Sequence, residues 1–124
     1  MRQTIVINES LPGLNGKNGL LREHFRKRKK RTDKYQWLIM DQNLDTHSGP
    51  VHATITRYGC KEMDWDNVAA SVKPVLDVME KLGIIRDDSP STIKPPFVLR
   101  QEKVRRRSEE RTEITIIDQE NDNA

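Results

Sequence analysis

Two acidic pairs bracket one stretch of the chain. The first is Asp64 and Asp66, in the run Asp64-Trp65-Asp66-Asn67; the second is Asp87-Asp88. Between them lie Lys73 and Asp77. In extended backbone side chains repeat every two residues, so Asp64 and Asp66 point the same way. Two carboxylates held side by side repel one another. A hard divalent cation accepts carboxylate oxygens as ligands and removes that repulsion. Such a centre can activate water and neutralise charge on a phosphate in transfer. A lysine beside it can stabilise the developing negative charge. A plainer account covers the same residues. Asp66 caps a helix, and Asp64 is a favourable charge at the helix's positive end. Lys73 and Asp77 form an ordinary ion pair one turn apart, and Asp87-Asp88 are turn residues.

The element that must position these groups is a helix over 66–82. Val68, Val72, Val75, Leu76, Met79 and Leu82 recur with helical period. Asp66 suits the N-cap and Gly83 the C-terminal stop. Pro74 removes the bond to the Ala70 carbonyl and predicts a kink. At about 100° per residue, Asp66, Lys73 and Asp77 fall within about 40° of one another, opposite the apolar stripe. One side of the helix packs while the other presents acid, base, acid.

The remaining elements follow from patterning. Residues 3–8 and 51–58 read as strands; in the second, Val51, Ala53, Ile55 and Arg57 share one face. Residues 10–19 carry one proline and three glycines and read as a loop. Residues 20–44 read as mostly helical, with Thr32 or Asp33 able to cap a second piece. Residues 97–104 and 112–118 read as two strands of a hairpin with the charged tip Arg105-Arg106-Arg107. Trp37 and Trp65 are expected to pack and not to serve as base-stacking platforms, with partial exposure open to Trp65 between its two acids. The order β-α-β-α-β-β predicts a single small α+β domain over 1–118, with a small mixed sheet and two helices. Residues 119–124 are expected to form a frayed tail.

The chain has 124 residues, and 34% of them are hydrophobic, which predicts a thin core. A thin core in a small domain favours oligomerisation as extra burial. The single cysteine, Cys60, excludes an internal disulfide and a cysteine-based zinc site, and fits a reducing compartment. No apolar run is long enough to span a membrane. The first residues lack the apolar core of a signal peptide. The expectation is a soluble cytoplasmic protein. Residues 1–62 carry 12 Lys and Arg against 6 Asp and Glu, whereas residues 63–124 carry 10 against 13. A basic half of this kind suggests a polyanion partner, most often nucleic acid. A small structural protein with a solvated basic surface is the bland alternative.

The run Asp64-Trp65-Asp66-Asn67, followed by Lys73, Asp77, Gly83 and Asp87-Asp88, resembles the signature of the RusA-type Holliday junction resolvases. The resemblance covers residues 64–88, with weaker agreement at 11–15 and in the β-rich C-terminal part. It implies a homodimeric, Mg²⁺-dependent endonuclease, with Mn²⁺ as a substitute metal, of phage or prophage origin. Such an enzyme binds four-way DNA junctions and cuts two opposed strands in recombination and repair. By motif position Asp64, Asp66 and Asp88 would be the metal-binding carboxylates, and Lys73 the lysine that aids catalysis. Asn67 and Asp87 match further motif positions. Arg22, Arg26, Lys27, Arg28, Lys29, Lys30, Arg31 and Lys34, with Arg105, Arg106 and Arg107, would then neutralise DNA phosphates without reading sequence. A DNA-binding dimer without catalysis is the competing reading. The helix rises about 24 Å at 1.5 Å per residue, and Asp88 lies beyond its far end. An active site shared across a two-fold dimer would bring the distant acids together.

Overall fold

The computed structural model describes residues 1–12, 25–87, 89–93 and 98–119. Among these, the chain forms β1 (Arg2–Ile7), α1 (Phe25–Met40), β2 (Val51–Gly59), α2 (Trp65–Lys81), β3 (Val98–Lys103) and β4 (Arg111–Asp118), with one 3₁₀ turn at Arg107–Glu109 before β4. This is the expected α+β order. Arg22, Asp88 and most of the expected loop and tail lie outside the described residues.

The sheet is mixed, in the order β1-β4-β2-β3. β4 runs antiparallel to both neighbours, and β2 pairs with β3 in parallel. Alternation along the strands puts Ile5, Ile114 and Ile55 in register across three of them, all fully buried. Each such isoleucine contributes roughly 1.5–3 kcal/mol by leaving water. Val72, Val75, Leu76 and Met79 of α2, with Tyr35 and Ile39 of α1, join the same cluster. Both helices therefore cover one face. The opposite face carries a row of Thr4, Thr115, Thr54 and Val98.

The hairpin expected from 97–104 and 112–118 does not form, because β2 lies between β3 and β4. Two physical reasons account for this. β2, α2 and β3 make a β-α-β unit, and a helical crossover returns the chain parallel to its start. β4 buries Thr112, Ile114 and Ile116 completely, which suits an interior strand, whereas β3 has no fully buried residue and suits the edge.

α1 is one continuous helix through Thr32, not two pieces. The Thr32 hydroxyl donates to the Arg28 carbonyl at 3.0 Å, spending its capping ability inside the helix. Residues 41–44 leave the helix, and Asn43 takes a positive φ of 51°. Just before it, the Gln42 amide accepts from the Val6 N–H (3.0 Å) and donates to the Val6 carbonyl (2.8 Å). It stands in for the neighbour strand that the β1 edge lacks.

α2 runs unbroken through Pro74. Its buried side is wider than the predicted stripe and adds Ser71 and Val78. It ends at Gly83, whose φ of +75° suits glycine. The Gly83 N–H bonds the Glu80 carbonyl (3.0 Å), and the Ile84 N–H reaches back to Met79 (2.9 Å). Both patterns satisfy carbonyls the helix end would otherwise orphan.

Candidate functional site

The strand register gathers several features at one end of the sheet. Tyr58 pairs with Arg111, and Gly59 with Lys103, so β2 and β3 end where β4 begins. From this end β2 leads through 60–63 into α2. The exposed Arg105, Arg106 and Arg107 lie in the connection from β3 to β4 at the same end, and Asp64, Trp65 and Asp66, at the start of α2, are exposed too.

Three side chains pin the approach to Asp64. Buried Arg57 donates from Nε to the Leu11 carbonyl (3.1 Å) and from Nη1 to the Lys61 carbonyl (2.9 Å). Burial lowers its pKa, and the nearby Glu110 carboxylate opposes that shift. Glu110 Oε2 accepts from the Cys60 N–H at 2.9 Å. Gln101 of β3 grips Met63: its Oε1 accepts from the Met63 N–H (2.8 Å), and its Nε2 donates to the Met63 carbonyl (2.7 Å).

The helix starts one residue earlier than expected. Asp64, not Asp66, occupies the N-cap, in extended backbone with φ −60° and ψ 149°. Its carbonyl accepts the first helical bond, from the Val68 N–H at 3.0 Å. Its carboxylate makes no capping bond. Asp66 falls in the first turn, and its Oδ1 accepts from the adjacent Asn67 N–H at 3.0 Å. Both carboxylates are exposed at the positive end of α2.

Lys73 and Asp77 lie on the exposed side of α2, as helical geometry predicts. The Lys73 ammonium bridges Asp77 at 2.9 Å, one turn further from Asp66. Asp66 and Lys73 are seven residues apart, about 10 Å along the axis. Asp87 serves a turn. Its Oδ1 accepts from both the backbone N–H and the hydroxyl of Ser89. These bonds, with Thr92, lower its pKa to about 2. The third predicted metal ligand, Asp88, lies outside the described residues. Among the described residues, no group of three or more His, Cys, Asp or Glu gathers as a metal site. Asp64 and Asp66 offer hard oxygen donors, the kind Mg²⁺ accepts.

The basic run lies on α1, with Arg26 through Lys30 exposed and Arg31 half-buried. Lys34 pairs with Glu9 at 2.5 Å, and the Tyr35 hydroxyl donates to the same carboxylate at 3.0 Å. Burial pushes the Tyr35 hydroxyl well above its ordinary pKa. Arg28 and Thr32 face Pro74, Asp77 and Lys81 across a groove of about 250 Å³. Trp37 does not pack as expected and is 73% exposed; Trp65, for which partial exposure is open, is 59% exposed. Trp37 points away from the Tyr35 and Ile39 side that enters the core, and Trp65 opens α2 at its solvent end.

Sequence reasoning missed Gln101, since a glutamine in a polar strand carries no signal. Arg57 did carry one, a charge in the buried phase of β2. Also missed is His47, buried with its Nδ1 2.6 Å from Asp118 Oδ1 and its Nε2 2.6 Å from the Gln3 amide nitrogen. Gln3 Oε1 accepts from the Asp45 N–H at 2.9 Å, which fixes its amide orientation. The Gln3 amide nitrogen is therefore the donor, and His47 is the neutral Nδ1–H tautomer.

Among the described residues, no helix is long and apolar enough to cross a membrane. No family model and no curated protein matches the chain.

Proposed function

We propose that the protein is a Mg²⁺-dependent endodeoxyribonuclease of the RusA type, acting on four-way DNA junctions. The observation that carries this reading is the state of Asp64. It holds the N-cap position, yet its carboxylate makes no capping bond. The Asp64 carboxylate is therefore not committed to a cap and is left available to a ligand. With Asp66 in the following turn, two exposed carboxylates stand at the positive end of a helix.

In this reading Asp64 and Asp66 hold the cation, together with Asp88. Bound there, Mg²⁺ supplies charge neutralisation at the scissile phosphate and activation of water. The chain's own part is positioning. Gln101, Glu110 and Arg57 fix the backbone that carries Asp64, while Arg105 to Arg107 hold flanking phosphates. Cuts in two opposed strands require two sites, which a two-fold homodimer provides. The lone Cys60 fits a reducing, cytoplasmic setting.

One observation favours a second reading, a DNA-binding dimer without catalysis. Lys73, the expected catalytic lysine, is paired with Asp77. A fixed four-way junction and a matched duplex, incubated with Mg²⁺ or with EDTA, separate the two. Paired nicks only in the junction and only with Mg²⁺ support the nuclease. Tight junction binding without nicking under any divalent cation supports the second reading.

A further inference from the structure

Trp37 has no packing role, and its surroundings suggest another. It is 73% exposed, and Met40 beside it is 50% exposed. Burying an indole is among the larger gains open to a small domain with a thin core. α1 instead turns Tyr35 and Ile39 inward, both fully buried, and leaves Trp37 in water. One turn before Trp37, the helix forms a hollow of about 280 Å³ lined by Lys27, Lys30, Arg31, Lys34 and Glu9. Four cations surround one carboxylate, so the hollow attracts an anion even with Glu9 paired. At about 100° per residue, Lys30, Lys34 and Trp37 fall within about 60° of one another, on one exposed side of the helix. Asp33 is the one acid within the run from Arg26 to Lys34.

We propose that this side of α1 binds single-stranded nucleic acid, with a phosphate in the hollow at Lys30 and Lys34 and a neighbouring base stacked on Trp37. A cationic groove next to an exposed aromatic ring is the general form of such sites, because every base offers a π-face and every linkage a charge. A duplex satisfies the lysines but keeps its bases stacked on one another, so the indole selects unpaired nucleotides. The occupant is assigned by charge: an acidic polymer complements seven cations between Arg26 and Lys34, whereas a second copy of this basic helix would repel. This surface lies outside the carboxylate site and does not rest on it.

The chain has two tryptophans, so Trp65→Phe leaves Trp37 as the sole indole. That variant is titrated with an oligothymidylate without divalent cation, so cleavage plays no part, and a failed junction assay leaves the result standing. The expected result is saturable quenching of Trp37 that weakens as salt is added. Trp37→Ala, followed by anisotropy of a labelled strand, should bind roughly 5- to 150-fold more weakly, while Trp37→Phe retains most affinity. Lys30→Gln with Lys34→Gln should flatten the log–log salt slope by about 1.4. Oligonucleotide binding that leaves Trp37 emission and Trp37→Ala affinity unchanged overturns the proposal. So does emission that follows protein concentration instead of oligonucleotide, which would mark the face as a contact between copies.

Discussion

Gln101 holds Met63 by both ends of its amide, at 2.8 and 2.7 Å, in the way one strand holds another. Met63 is the residue before Asp64, so the β3 edge sets the direction in which the first acid leaves the sheet. Gln101→Leu removes both bonds and leaves the Met63 backbone without them. Two bonds at about 0.5–1.5 kcal/mol each predict a loss of roughly 1–3 kcal/mol. Urea unfolding measures it. Faster amide exchange should appear at Met63 before the rest of the sheet opens. A variant of unchanged stability and unchanged exchange at Met63 would show that the grip is incidental.

Arg57 ties the segment after β1 to the segment before α2 through the carbonyls of Leu11 and Lys61. Arg57→Met keeps the apolar stem but leaves two carbonyls without their donor. At about 1–3 kcal/mol per stranded group, the expected cost is roughly 2–6 kcal/mol, with only partial rescue by Arg57→Lys. Gly59→Ala tests the same joint, because an added Cβ would lie 2.5 Å from Arg57 Nη1 and displace the guanidinium. Thermal unfolding of the three variants gives the order.

The turn after α2 is predicted to be acid-sensitive. Asp87 is held at a pKa of about 2, below its ordinary 3.8, by bonds from Ser89 and Thr92. A depressed carboxylate stabilises the fold above its ordinary value, and that contribution is lost as pH falls toward 2. Ser89→Ala should raise the Asp87 pKa toward the ordinary value, as read from its carboxyl carbon shift. An unmoved titration in Ser89→Ala would remove the turn bonds as the cause.

His47 is predicted to be neutral with its proton on Nδ1, donated to Asp118. Nitrogen NMR of the imidazole reads the tautomer directly, and an Nε2–H form would contradict the network. The bond from His47 is the largest cause of the lowered Asp118 pKa. His47→Phe should therefore raise the Asp118 pKa.

Where side-chain periodicity carries the information, the sequence is legible. The buried face of α2, the alternation of β2 and the acid–base–acid side of α2 all follow from residue spacing. Strand partnership did not follow, because the order β1-β4-β2-β3 depends on which strand takes a neighbour on each edge. Ile114 and Ile116 settle that for β4, and the polar 100–103 run settles it for β3. Adjacency in sequence misled there. The helix start was misread because Asp64 and Asp66 are both good caps, and the choice falls to Gln101, which holds the Met63 backbone just ahead of Asp64. Trp37 was misread because hydrophobicity alone predicts burial, whereas helical phase places it opposite Tyr35 and Ile39.

The central claim is that the Asp64 carboxylate, which makes no capping bond, serves a cation. Asp64→Asn keeps a residue suited to the N-cap and removes the charge. The fold should lose less than about 1 kcal/mol, the scale of a charge at a helix end. Mg²⁺-dependent cleavage of a four-way junction should fall by about 100-fold or more. Junction cleavage by Asp64→Asn at the unmodified rate would contradict the account.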